Sequence, residues 1–164
     1  MTTPSDQERW AAVVAARSEL HRVQADFHQD AADPAGVLRE ALRGNVGGQA
    51  TALLYLGGLS RDAAALLPEL VALTISDRFH GYARAAIAQI RRDELMPELE
   101  PLVTQHLESG DDYEYWRLGD LLAYLQAWPL LRDLVQRALA DADPEVREAG
   151  RFYADEYAVS LRTT

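Results

Sequence analysis

The stretch from Asp93 to Ala158 constrains the fold more than any other part of the chain, because it repeats itself. It reads DELMPELEPLVTQHLESGDDYEYWRLGDLLAYLQAWPLLRDLVQRALADADPEVREAGRFYADEYA. A segment with Pro-Glu-Leu or Pro-Leu-Leu near its start ends in an acidic turn, a second segment carries an Arg soon after that turn, and the unit recurs. Upstream, Leu67-Pro68-Glu69-Leu70 already prefigures Met96-Pro97-Glu98-Leu99, with a looser echo at Trp128-Pro129-Leu130-Leu131. Arg84, Arg117 and Arg147 recur at spacings of 33 and 30. Self-similarity at this period marks a stack of supersecondary units, each of which buries its apolar face on its neighbours. Here each unit reads as an antiparallel pair of helices.

The rest of the chain divides the same way. Val13, Ala16, Leu20, Val23 and Phe27, at spacings of three and four, form one stripe of a helix from Ser5 to about Asp30, with Trp10 on its flank. Ser5 suits its N-cap, and Asp6 and Glu8 suit the positive end of its dipole. The stripe is expected to cover the open end of the stack, so residues 5–30 read as an N-terminal capping helix. Asp33-Pro34 restarts the chain as cap and first helical residue. Gly44 is expected to stop that helix as a left-handed cap. Gly47-Gly48 then loosens the link to a helix from about Gln49 to Leu56, which Gly57-Gly58 ends. Arg61 to Thr74 contains Pro68, so a kink or a new helix near Pro68 is expected. Asp77 turns the chain into a short helix, Tyr82 to Ile90, burying Ala83, Ala86, Ile87 and Ile90. Sustained alternation of apolar and polar residues is missing throughout, and no strand is predicted.

These features resemble the HEAT-repeat family, whose units run as a Pro-bearing helix, an acidic turn, and a helix with an early Val-Arg. Asp143-Pro144-Glu145-Val146-Arg147-Glu148-Ala149-Gly150 carries the resemblance best. It extends over residues 33–157 as about four hairpins, with Thr51 in place of the Arg in the first and Trp116-Arg117 in place of Val-Arg in the third. The resemblance implies an all-α, right-handed α-solenoid of antiparallel hairpins, about nine helices in one domain of 164 residues, with a tail at 158–164. It also implies a structural ladder in which Asp77, Asp112 and Asp143 pair with Arg84, Arg117 and Arg147.

Composition excludes several functions. The formal charge is −10, and all sixteen basic residues are Arg. Nucleic-acid affinity comes largely from neutralising phosphates with basic side chains, so an acidic chain is a poor nucleic-acid binder and attracts basic partners instead. Cysteine is absent, which removes disulfide and thiolate chemistry and suits a reducing cytoplasm. Charges occupy the N-terminus where a signal peptide needs an apolar core, and no run approaches a membrane span. Catalytic signatures fail in turn. His21 and His28 project from one helix face two turns apart, but Gln24 and Ala25 lie between them and Asp26 points away, so a metal site is not expected. His80 and His106 stand without a visible partner. Asp111, Asp112 and Glu114 read as first-turn acids favoured by the helix dipole rather than as a cation site. Phosphate loops and hydrolase motifs are missing. Neither enzyme activity nor a cofactor is expected.

What remains is an acidic and aromatic surface. On a helical wheel from Asp112 to Gln126, Tyr115, Leu118, Leu121, Leu122 and Leu125 share one side. Tyr113, Trp116, Arg117, Asp120 and Tyr124 share the other. Aromatic side chains with a polar handle are enriched at binding hot spots, so this side, joined by Asp111, Asp112 and Glu114, is the expected partner contact. The competing destination for Trp116 and Tyr124 is the adjacent repeat. In the last helix, Tyr153 and Tyr157 share the inner face with Val146, Ala149 and Gly150. Small acidic HEAT-like proteins are similar to bacterial immunity proteins that neutralise a toxin, which implies a protein-binding inhibitor of a basic protein, possibly a toxin domain, without nucleic acid or membrane. The alternatives are a DNA glycosylase-like enzyme on the same scaffold, which needs a basic groove, and a general intracellular scaffold.

Overall fold

The computed structural model describes residues 3–58 and 62–162. Among the described residues every regular element is helical, with ten α-helices where about nine were expected. The chain divides into two compact units, residues 1–37 and 38–164. No helix is long and apolar enough to cross a membrane.

In the first unit, α1 (Asp6–Asp30) starts at a capping box. The Ser5 hydroxyl accepts the Glu8 N–H, and the Glu8 carboxylate accepts the Ser5 N–H at 2.7 Å, so two amides without helical partners are satisfied reciprocally. Arg22 links Glu19 and Asp26 across one turn on either side. None of the residues of α1 is buried. The Asp33 carboxylate accepts the Gly36 N–H at 2.9 Å and starts α2 (Pro34–Arg43), as the Asp-Pro pair predicts.

The second unit holds the core. Leu38 and Leu42 of α2 are buried. Gly44 is not a left-handed cap, since no described glycine has positive φ; its N–H bonds to the Ala41 carbonyl and closes the helix with a tighter turn. Gly47 and Gly48 lie inside the first turn of α3 (Val46–Leu56), whose N-cap Asn45 accepts the Gly48 N–H. An Asn able to satisfy the orphan amides outweighs the cost of two glycines there. Of the segment expected from Arg61 to Thr74, Arg61 lies outside the described residues. From Ala64 it forms a 3-10 turn to Leu66, and then α4 (Leu67–Thr74) begins with Pro68 in its first turn, where its missing N–H costs nothing. α5 (His80–Ile87) starts two residues earlier than expected and buries Ala83, Ala86 and Ile87, with Ile90 buried just beyond it.

α6 (Arg92–Ser109) runs for 18 residues despite Pro97 and Pro101 inside it. Its buried Leu95, Leu99, Val103 and Leu107 recur every fourth residue, so packing of one stripe overrides the two lost backbone bonds. α7 (Asp112–Tyr124), α8 (Trp128–Ala140) and α9 (Pro144–Glu156) follow. The α7–α8 turn contains the one described non-glycine residue with positive φ, Gln126 (φ 53°). The Arg92 guanidinium binds the carbonyls of Leu125 and Gln126, both at 3.1 Å, and ties the start of α6 to that turn. The expected tail is helical as α10 (Ala158–Arg162), and Arg132 of α8 grips its Leu161 carbonyl.

Neighbours in this unit follow chain order in pairs, α4 with α5, α6 with α7, and α8 with α9. The second members also touch in sequence, α3 with α5, α5 with α7, and α7 with α9. Two glycines set the closest approaches. A Cβ at Gly150 would sit 2.8 Å from the Ala138 Cβ, so α8 and α9 meet where neither has bulk. A Cβ at Gly119 would sit 2.2 Å from the Tyr153 ring, so this glycine makes the slot that the ring fills between α7 and α9.

Candidate functional site

α7 positions the residues singled out from the sequence. Asp111 is its N-cap and accepts the Glu114 N–H at 3.0 Å. Tyr115, Leu118, Leu121 and Leu122 are buried on the side assigned by the wheel, while Leu125 is half-buried at the helix end. The opposite side lies against two neighbours. Toward α5, the Tyr113 hydroxyl donates to Asp77 Oδ1 at 2.6 Å, and Arg117 donates to the same oxygen at 2.5 Å. The Arg117 guanidinium also lies 5.0 Å from the Tyr113 ring centre. Further along, the Arg84 guanidinium sits over the Tyr124 ring at 4.8 Å, a cation–π contact between α5 and α7.

Toward α9, Trp116 packs on Phe152 at 5.0 Å and on Tyr153 at 5.6 Å between ring centres. The Tyr153 hydroxyl reaches the Trp116 carbonyl at 2.7 Å and Asp120 Oδ1 at 3.2 Å. Burial, and then the nearby Asp120 charge, push the Tyr153 phenol well above its ordinary range, so it stays protonated as a donor. Thus Trp116 goes to the adjacent helix, half-buried, while Tyr124 and Asp120 remain exposed and Asp112 half-buried.

The Asp–Arg ladder takes a different form from the one the resemblance implied. Only Asp77 and Arg117 pair among those six residues, from the turn between α4 and α5 to α7. Asp143 is occupied as the N-cap of α9 and accepts the Glu145 N–H, and Arg147 turns back to the carbonyls of Asp141 and Ala142. Arg84 is occupied by Tyr124. The two lone histidines also have partners: His106 Nδ1 lies 3.2 Å from Glu114 Oε1, and His80 Nδ1 lies 3.3 Å from the Asp77 carbonyl.

The Tyr113 hydroxyl bond first, and the Arg117 bond second, hold the Asp77 carboxyl below its ordinary value of 3.8. A carboxyl-detected NMR titration is expected to place its midpoint below that value, and Tyr113→Phe to move it upward. A folded value below the unfolded one means the contribution to stability is complete above the unfolded value and is lost as pH falls through the folded one. A midpoint at or above 3.8 would show that this pair is not formed in solution.

Sequence reasoning underweighted α9. Phe152 is 46% exposed and Tyr124 49%, the two large aromatic surfaces left on this side of α7 and α9. Glu148, Phe152 and Asp155, at spacings of four and three, share an exposed face of α9, a signal that the same wheel applied to α7 would have found. Beside Tyr124 a hollow of about 240 Å³ is lined by Ile90, Leu95, Arg92 and Gln126 among others. Charge gathers in the same half of the molecule. Residues 93–156 hold 16 of the 26 carboxylates and 5 of the 16 arginines, a formal charge of −11, against +1 for everything else. Three of those arginines pair with no carboxylate of the segment: Arg117 is engaged by Asp77 outside it, and Arg132 and Arg147 by backbone carbonyls. The site therefore combines exposed aromatic rings, a concave neighbour and carboxylates without arginine partners, and among the described residues no group of three His, Cys, Asp or Glu is arranged to hold a metal. No protein-family model matches the chain, no curated protein matches it in sequence, and no solved structure matches it in fold.

Proposed function

We propose that this protein is a protein-binding module whose negative half occupies a basic surface of another protein, as an inhibitor of the immunity-protein kind would occupy the basic cleft of a toxin. The scaffold in this reading is a right-handed stack of HEAT-like hairpins, supported by the α4–α5, α6–α7 and α8–α9 pairing and by the Asp77–Arg117 link between hairpins. The carrying observation is the segregation of charge, −11 within residues 93–156 and +1 elsewhere. A field of one sign concentrated on one region steers an oppositely charged partner and suppresses like-charged ones. The residues Asp111, Asp112, Tyr113, Glu114, Trp116, Arg117, Asp120 and Tyr124 belong to this contact surface. Their bonds to Asp77, Arg84, His106 and α9 hold them in place before binding, which lowers the ordering cost of association.

The test is the salt dependence of binding. Association with a basic protein partner is expected to slow by about tenfold or more from low to physiological ionic strength. Double-stranded DNA is expected to give no measurable binding at physiological salt, since a chain of formal charge −10 repels the phosphate backbone. Tight, salt-sensitive DNA binding would replace this reading with a nucleic-acid one.

A further inference from the structure

We infer that the ridge shared by α7 and α9 is the docking surface for a cationic amphipathic segment of the partner, with apolar side chains over Tyr124 and Phe152 and arginines or lysines over Asp120, Glu148 and Asp155. The inference rests on the acidic-module reading and gives it a location and a partner chemistry.

Two contacts set the faces of the helices side by side. Trp116 of α7 packs on Phe152 of α9, and Tyr153 of α9 reaches back to Asp120 of α7. Asp120 and Tyr124 lie one turn apart on α7, and Glu148, Phe152 and Asp155 follow one face of α9. The outcome is a strip in which two half-exposed aromatic rings are flanked by exposed carboxylates, with the exposed Arg151 the one cation on the α9 side. Phe152 can make no hydrogen bond to water, and its exposed half is supported from beneath by Trp116 and Tyr153, so it presents a rigid apolar surface. Such a ring, beside Asp120, Glu148 and Asp155, which outnumber Arg151, is the arrangement of an interface hot spot rather than of a solvated helix face.

The strip also has a direction. Arg84 of α5 over Tyr124, with exposed Arg78 just before α5, ends the acidic surface on that side. Cationic side chains of a partner are therefore favoured over α9 and disfavoured over α5. The hollow beside Tyr124 offers a place for an apolar side chain at that end.

The test uses two synthetic amphipathic peptides with the same leucine face, one flanked by arginines and one by glutamates. Fluorescence anisotropy measures their affinity, and amide NMR shifts locate the contact on the full chain. The arginine peptide is expected to bind, with shifts centred on Asp120, Tyr124, Phe152 and Asp155, and the glutamate peptide is not. Asp155→Arg, alone and with Phe152→Ala, is expected to weaken binding by about tenfold or more. Glu98→Arg on α6, which changes the net charge by the same amount, is expected to leave affinity within about twofold, the size of a screened long-range effect. Circular dichroism melts confirm that each variant is folded, and the Asp155 variant alone decides if the double variant is not. Equal losses from Asp155→Arg and Glu98→Arg, or shifts centred elsewhere, would overturn this location while leaving the basic-partner reading standing. Equal affinity for the two peptides would overturn both.

Discussion

Tyr153→Ala is expected to remove about 3–5 kcal/mol of folding stability, the scale for deleting a fully buried aromatic ring. The ring is 1% exposed and fills the slot left by the missing side chain of Gly119. Trp116, Phe152 and Tyr157 all pack on it, so its removal empties a cavity that none of them can close without losing its other contacts. Tyr153→Phe separates the hydroxyl from the ring and is expected to cost about 1 kcal/mol, since the Trp116 carbonyl and Asp120 lose one donor. Gly119→Ala approaches the same slot from the other side and is expected to destabilise by about 1–3 kcal/mol, because the rigid ring must shift. Denaturant titration of the three variants gives the order directly. A loss below about 1 kcal/mol for Tyr153→Ala would mean that α7 and α9 do not pack through this ring.

Trp116→Ala is expected to cost about 3 kcal/mol of stability, the lower end of the aromatic range because the ring keeps some exposure. Sequence periodicity alone offers this residue two destinations, a partner or the adjacent helix, and they differ in what the substitution changes. A side chain facing only a partner would lose more than about 2 kcal/mol of binding with little change in melting temperature. Packed on Phe152 and Tyr153 with part of its ring exposed, it should lower the melting temperature first, with a smaller effect on affinity. Measuring both quantities on one variant distinguishes the cases, and an unchanged melting temperature would contradict the packing described for α7 and α9.

Local pattern was enough to read the helical class, the buried side of α7 and the restarts at Asp33-Pro34 and near Pro68, because each is set by neighbours within one or two turns. The misreadings have a common cause in competition between local signals. Gly44 ends α2 as expected but without the left-handed turn, whereas Gly47-Gly48, which suggest a loose link, lie inside a helix that Asn45 caps. Contacts between elements distant in sequence were the least legible. Asp77 meets Arg117 across 40 residues, Tyr153 meets Trp116 across 37, and Arg92 meets Leu125 across 33. Side chains that far apart share no period, and a repeat assigns them only to the right class of neighbour. The aromatic character of the α7 surface was readable, whereas the part of it consumed by α9 was not, since that depends on a slot made by one glycine.

The one-sided charge also bears on how the molecule treats its own copies. A two-fold symmetric pair brings the same patch of both subunits together, so each residue meets its own surroundings again. Built through α6 to α9, such a pair would set sixteen carboxylates and six arginines against an identical set, within a screening distance of about 8 Å. Self-recognition through this half is therefore penalised at the place where the proposed recognition of a cationic surface would be favoured.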